Sequence, residues 1–291
     1  MSEVKAGHLA GPFDKGSIPN AKINGLMSVS KPDGSRRQIG NLSAPKGLSF
    51  NDGIPVSTLK TWTVKQTTSK EVANMIVRAG RDCTLSCSDM VAAYKNIPVK
   101  LQQRPLQVFR FCGKDFVDTR LVFGDKAACM WFDRFHHCII HCFIRPKVPI
   151  PMSWVGRTVD DIPTVCPSSA SQLATEFVAE YRRTLQEFNI RAAPEDPKKQ
   201  KAFDCSKEGV MLGIQFNSTD MTWSLPREKL EMLLIMLGKC SQEEAQLTLH
   251  QVEVLHGKLV HISQHILPIS LLLDEGDLLS QGKSPEVRES V

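Results

Sequence analysis

The sequence predicts an α+β chain built on a split βαβ sheet of the ferredoxin type with insertions, followed by a small helical lobe. Three observations carry this. In the middle of the chain the order runs strand, excursion, helix, strand-turn-strand, helix, strand. The clearest helix repeats Leu173, Phe177, Tyr181, Leu185 and Phe188 every three to four residues, on one face. From Pro226 onward the apolar pattern is helical.

Taken in order, Gly11 to Pro55 is rich in Gly, Pro, Asn and Ser. Within it Ile23–Ser30 and Arg36–Leu42 read as strands joined by Lys31-Pro-Asp-Gly34, whose residues suit a tight turn. Ser69 is placed to cap a helix over Lys70–Ala79, closed by Gly80. Asp82–Asp89 reads as a strand, and Gln107–Phe111 with Lys114–Leu121 as a hairpin around Gly113. Asp125 is placed to cap the next helix, over Met130–Phe143, before the stiff Pro146, Pro149 and Pro151 connection. Ser153–Thr158 is extended, turns at Asp160-Asp161 and returns as Ile162–Cys166. Ser168 or Ser169 opens the long helix. Val210–Phe216 and Met221–Ser224 read as a small hairpin. Pro226 begins a helix carrying Leu230, Leu233, Leu234 and Leu237, stopped by Gly238. A last helix follows Thr248, with Leu249, Val252, Leu255, Leu259 and Ile262 facing inward, and an acidic tail follows Leu273.

Composition excludes some classes. No apolar run reaches the ~18–20 residues of a membrane helix, and Met1 to Pro12 lacks the continuous apolar stretch of a secretory signal. The expectation is an intracellular protein, cytoplasmic or nuclear, not secreted and with no membrane partner. Nine cysteines then suit reduced thiols rather than a disulfide framework. The net charge of +5 hides an asymmetry: residues 1–70 hold ten Lys/Arg against four Asp/Glu, and residues 274–291 five acids against two bases. A basic N-terminal segment is compatible with a polyanionic partner.

Two clusters carry candidate chemistry. His137/His141 and Cys138/Cys142 are i,i+4 pairs if their segment is helical, a spacing able to chelate zinc. The interleaved Trp131, Phe132, Phe135, Ile139 and Ile140 favour packed side chains instead. Asp89 ends one predicted strand, and Asp160-Asp161 occupy a strand-to-strand turn some 70 residues later. Adjacent acids in a tight turn repel unless a cation neutralises them, and hard divalent ions favour a few carboxylate oxygens plus phosphates.

Over about residues 7–273 the chain resembles the reverse transcriptase family in the order and spacing of its blocks. Gly7–Pro12, Lys31–Arg37 and Leu42–Ile54 resemble the fingers of retrotransposon enzymes, closest to the DIRS-type (tyrosine-recombinase) elements. Ser88-Asp89 with Ala93–Val99 resembles motif A, and Leu121-Val-Phe-Gly124-Asp-Lys-Ala-Ala128 motif B. Thr158-Val-Asp-Asp161 holds the place of the Tyr-x-Asp-Asp box, motif C. Leu212–Phe216 followed by Leu225-Pro226 resembles the primer grip and the start of the thumb.

That resemblance implies a right-hand polymerase core. Its parts would be fingers (1–81 and, returning, 99–123), a palm (82–98 and 124–222) with the ferredoxin-like sheet, a helical thumb (223–273) and a flexible acidic tail (274–291). It implies RNA-directed DNA polymerisation with two Mg²⁺ ions, Mn²⁺ being a substitute, and as partners an RNA or DNA template with primer and deoxynucleoside triphosphates. Asp89, Asp160 and Asp161 would be the catalytic, metal-binding carboxylates, helped by the Met90 carbonyl. Lys31 and Arg37, or Arg36 in another register, would contact the triphosphate. Tyr94 would sit where an aromatic blocks a ribose 2′-hydroxyl, and Gly124 would let backbone approach nucleotide or template.

The chain also departs from the family pattern. Thr158 replaces a Tyr, Pro163 removes a donor from a predicted interior strand, Val122 replaces a Pro, and Asp125 adds an acid. A later family lysine has only the offset Lys198 or Lys199. A non-catalytic nucleic-acid-binding protein that keeps the polymerase shape is therefore the alternative, and a zinc-stabilised structural protein built on His137–Cys142 a third.

Overall fold

Runs rich in β-branched, aromatic and Ser/Thr residues, punctuated by Gly, Pro and Asn, form the strands of this chain; apolar repeats opened by Thr or Pro form its helices. The computed structural model describes residues 2–30, 34, 36–193, 202–241, 247–265 and 289–290. Its strands are β1 (Leu9–Asp14), β2 (Ile23–Ser30), β3 (Arg36–Asn41), β4 (Thr84–Ser88), β5 (Val108–Phe111), β6 (Lys114–Asp118), β7 (Ile162–Cys166), β8 (Phe203–Ser206), β9 (Glu208–Met211), β10 (Ile214–Asn217), β11 (Thr222–Ser224) and β12 (Glu289–Ser290). Its α-helices are α1 (Ser2–Lys5), α2 (Val56–Leu59), α3 (Ser69–Ala79), α4 (Ala128–Cys138), α5 (Ser171–Glu187), α6 (Arg227–Cys240) and α7 (Leu249–His265). The fold divides into two compact units. One comprises Met1–Lys65, Met90–Ile144 and Thr184–Arg191, and the other Gln66–Asp89, Arg145–Arg183 and Ala192–Val291.

The first unit is organised by a five-stranded sheet, ordered β1-β6-β5-β2-β3. The expected β2–β3 hairpin forms, with Ser30 opposite Arg36 and Gly34 left-handed (φ 76°) in its turn. The expected helix over Met130–Phe143 is interrupted: α4 gives way to a π-helical stretch, Ile139–Ile144. Phe132, His136, Ile139, Ile140 and Ile144 are buried, whereas Trp131 stays 42% exposed with the Arg134 guanidinium 5.0 Å from its ring centroid. His137 and His141 stack at 3.9 Å, and Cys138 and Cys142 are exposed. Asp125 is not the cap of α4: that position falls to Ala127, and the Asp125 carboxylate accepts the Ala127 N–H at 2.8 Å, one residue ahead of the helix.

The second unit contains the sheet β7-β4-β8, all neighbours antiparallel. Val155–Thr158 extends it beyond β7 through the bridges Val155↔Thr164 and Thr158↔Asp161. Numbered along the chain from β4, these four segments stand in the order 4-1-3-2, that of a split βαβ sheet. Leu85 and Cys87 of β4 and Val165 of β7 enter an apolar cluster with Val72, Ala73 and Ile76 of α3, Phe216 of β10, Leu233 of α6 and Ile262 of α7. α3 is capped by Thr68, one residue before the expected Ser69, because Thr68 makes a reciprocal capping box with Glu71. On α5, Ala174, Phe177, Tyr181 and Leu185 are buried while Phe188 beyond its end is exposed.

Three expectations change in the C-terminal part. The hairpin read at 210–224 is a meander, because Leu212 (φ 52°) and Gly213 (φ 82°) make a tight left-handed turn between β9 and β10. Gly238 does not stop α6, which runs to Cys240. One interior glycine costs about 1 kcal/mol, which burial of Leu233 and packing of Leu237 outweigh. Leu255, Leu259 and Ile262 of α7 face the cluster, but Leu249 (74%) and Val252 (46%) are exposed. Of the acidic tail, only Glu289–Ser290 is described, paired with β11. Among the described residues no helix is long and apolar enough to cross a membrane.

Two glycines make opposite predictions. Gly124 has φ 105°, and a Cβ there would run into the Gly40 carbonyl; around Gly238 nothing lies within 4 Å. Gly124→Ala should destabilise by more than ~2 kcal/mol and Gly238→Ala should stabilise by up to ~1 kcal/mol, read from urea unfolding midpoints.

A pH prediction follows from Asp118. Burial raises its carboxyl to about 6 despite the attraction and hydrogen bond of Lys95, with Glu3 opposing ionisation and His8 favouring it. Because the folded value lies above the unfolded one, the stability linked to protonation is present below pH ~4 and lost as pH rises through about 6. Asp118→Asn removes this loss, so from pH 4 to 7 its stability relative to the parent should shift by ~2–3 kcal/mol in favour of Asn.

Candidate metal centre

The register of two strands decides where the acids meet. β4 is buried along its whole length and pairs with β7 so that Ser88 stands opposite Ile162. Asp89 and Asp161 are the residues that follow and precede that last pair, at the same end of the ladder. Cross-strand neighbours in an antiparallel pair have Cβ atoms about 5 Å apart. Asp160 arrives through the turn: Thr158 and Asp161 exchange both backbone hydrogen bonds at 2.9 Å, leaving only Val159 and Asp160 as the loop. As a result one carboxylate oxygen from each of Asp89, Asp160 and Asp161 lies within 4.8 Å of the others. Asp89 is buried and the other two are half-buried.

The turn is strained. Val159 has φ 49°, a region that a β-branched residue rarely adopts, at a cost of order 1–3 kcal/mol. Pro163, two residues beyond Asp161, is less disruptive than its position in the sequence suggests. Gly156 N–H donates to the Pro163 carbonyl at 2.7 Å, so Pro163 directs its backbone toward the hairpin and not toward β4. The β4–β7 ladder loses nothing, and the absent donor falls on the Gly156 side.

The surroundings register the concentrated negative charge. Burial pushes the Cys87 thiol well up, and Asp161, Asp89 and Asp160 add to the shift. Burial likewise raises the fully buried Tyr181 phenol, helped by Asp89, Asp160, Cys87 and Asp161. Neither group therefore offers an anionic ligand. The donor set is three hard carboxylates without a soft partner, which fits Mg²⁺ or Mn²⁺ better than zinc. At an effective dielectric of ~20, carboxylates this close repel by about 3 kcal/mol per ionised pair, a repulsion that a divalent cation reverses. Among the described residues this triad is the grouping of three or more metal-capable side chains; the His137–Cys142 cluster does not form one.

The other anticipated residues lie in the first unit or outside the described residues. Met90 has a buried side chain. Tyr94 packs at 5.0 Å from Phe123 and 5.6 Å from Phe132 (ring centroids) and follows Ala92, which is left-handed (φ 55°). At Gly124 a Cβ would meet the Gly40 carbonyl, and the Gly124 carbonyl accepts the Asn51 side-chain amide at 2.8 Å. Arg36 and Arg37 are described as strand positions opposite Ser30 and Val29. Lys31, Lys198 and Lys199 lie outside the described residues. Two residues beside the acids escaped the sequence reading. Tyr181 read only as part of an apolar helix face, and Thr67, bonded to Arg157 and Thr158, is 90 residues from them and carries no local signal.

No protein-family model and no curated protein matches the chain. Solved structures do. A foamy viral protease-reverse transcriptase in complex with double-stranded DNA superposes with a TM-score of 0.64 at 16% identity, covering 99% of this chain and 43% of that one. The foamy viral protease-reverse transcriptase with RNA/DNA hybrid gives 0.64 at 15% identity over 97% of this chain and 32% of that one. A further complex of it with double-stranded DNA gives 0.55 at 15% identity. The chain thus spans less than half the length of the first two. With an α+β architecture, a ferredoxin-like sheet and this superposition, the chain has a reverse-transcriptase-like fold.

Proposed function

We propose that this chain is a template-directed nucleotidyl transferase, an RNA-directed DNA polymerase. The observation that carries the reading is the convergence of Asp89, Asp160 and Asp161 at the end of the β4–β7 ladder, within a reverse-transcriptase-like fold. The three acids would hold two divalent ions, Mg²⁺ or Mn²⁺ as substitute, which when bound neutralise charge on the transferring phosphoryl group. The chain's own contribution is positional: the β4–β7 register and the two-residue turn hold the carboxylates together before any substrate arrives. A primer 3′-hydroxyl attacks the α-phosphate of a deoxynucleoside triphosphate, a phosphodiester forms and pyrophosphate leaves. Side chains do no covalent chemistry in this scheme.

The same reading assigns residues 1–81 and 99–123 to fingers, 82–98 and 124–222 to palm and 223–273 to thumb. It gives Lys31 and Arg36 or Arg37 to the triphosphate, Tyr94 to sugar discrimination, Met90 to the metal site through its carbonyl and Gly124 to the nucleotide. The Gly7–Pro12 and Leu42–Ile54 blocks support a DIRS-type origin. An RNA or DNA template with primer is the partner, in keeping with foamy viral structures that hold double-stranded DNA or RNA/DNA hybrid.

Primer extension on RNA and DNA templates with Mg²⁺ or Mn²⁺ tests the reading. The parent should extend the primer, and Asp89→Asn and Asp160→Asn should each lower the rate at least ~100-fold while leaving duplex binding intact. A parent that binds primer-template in a salt-dependent manner without extending it, and whose Asp160→Asn variant binds equally with or without divalent metal, would be a non-catalytic binding protein instead.

A further inference from the structure

The strand that leads into the acidic turn is bonded on its outer side by Thr67, a residue of a distant segment. Thr67 N–H donates to the Arg157 carbonyl at 2.8 Å, Thr67 Oγ1 accepts the Arg157 N–H at 2.8 Å, and the Thr67 carbonyl accepts the Thr158 hydroxyl at 2.5 Å. All three polar groups of Thr67 thus serve two consecutive residues, and the next three are Val159, Asp160 and Asp161.

Three features make this more than edge covering. The inner face of the same strand is weakly tied, because Pro163 returns only one of the two hydrogen bonds of its pair with Gly156. The turn is strained at Val159, and a sparsely populated backbone conformation persists only where its surroundings over-determine it. The contact is also close-packed: a Cβ at Gly156 would stand 2.8 Å from Pro163 Cγ and 2.9 Å from Thr67 Cγ2. The other end of the clamp is anchored, since the next residue, Thr68, caps α3, whose Val72, Ala73 and Ile76 are buried in the core. Thr158, which stands where the polymerase pattern has Tyr, has a hydroxyl short enough to close onto a backbone carbonyl.

We infer that Thr67 is a positioning residue for Asp160 and Asp161, acting through Arg157 and Thr158 to hold the turn in its metal-binding geometry. The inference rests on the metal-centre reading proposed above. It assigns to the Thr67 hydroxyl an effect on metal affinity that no direct contact with metal would explain, of the 10–100-fold size seen when groups supporting metal ligands are removed.

The test measures Mn²⁺ binding by electron paramagnetic resonance and, separately, single-nucleotide incorporation, on the full chain. Thr67→Val keeps the backbone bonds and shape but deletes the hydroxyl. It should weaken Mn²⁺ binding at least tenfold and lower kcat ~10–100-fold, with KM for the nucleotide within about threefold of the parent. Thr67→Ser should stay within about threefold of the parent in both. Thr158→Val, which cuts the other hydroxyl bond, should move in the same direction as Thr67→Val and serves in its place if that variant does not fold. Parent-like Mn²⁺ affinity in both valine variants, or a serine variant as impaired as valine, overturns the inference while Asp160→Asn still abolishes binding. A parent whose Mn²⁺ binding is unchanged by Asp160→Asn overturns the metal-centre reading itself, and the Thr67 role with it.

Discussion

The pairing of Ser88 with Ile162 is the constraint on which the site depends. Strand pairing has a period of two, so a slip of one residue would turn either Leu85 and Cys87 or Val165 away from the apolar cluster they share with α3 and β10. Core burial therefore locks the register, and the register brings Asp89 and Asp161 to the same end of the ladder. The geometry of the acids is inherited from hydrophobic packing two and four residues away. That is why three mutually repelling groups stay together without attracting each other. The acids thus hang from a ladder whose other end is sealed in the core.

Legibility in the sequence followed the range of the interactions. The β2–β3 hairpin was readable because Pro-Asp-Gly announces its own turn, and α5 because its apolar period is long. The acidic turn was readable too, since two strands flank a pair of acids. Local chemistry failed where two neighbours compete for one role. Ser69 and Thr68 both suit a cap, and only the reach of Glu71 back to Thr68 decides between them. Leu212 gave no sign of a left-handed turn, because only Gly213 beside it is permissive. Gly238 looked like a stop, yet tertiary packing carried α6 past it. The partnership of Thr67 with Arg157 had no local trace, being made across 90 residues.

Pro163 shows how a substitution that looks disabling on paper is absorbed. Its ring faces the one neighbour, Gly156, that has no side chain to resist it, and its missing donor falls on the outer hairpin rather than on the ladder that aligns the acids. The outer strand is also bonded by Thr67, at the next two residues, Arg157 and Thr158. Gly156, Pro163 and Thr67 are thus mutually conditioned, and a change at one alters what the other two can be.

The interleaving of the two compact units has a consequence for biosynthesis. The chain passes from one to the other at residues 65/66, 89/90, 144/145, 183/184 and 191/192, so neither unit is a contiguous stretch. On the ribosome β4 emerges more than 70 residues before its partner β7, and Phe216, Leu233 and Ile262 of the shared cluster come later still. The second unit therefore cannot close until most of the chain exists, and through that interval β4 presents unpaired backbone and apolar side chains. Chains rich in such long-range pairing fold slowly and are exposed to aggregation while they wait. The strands that wait longest for a partner are thus the ones that later carry the acids.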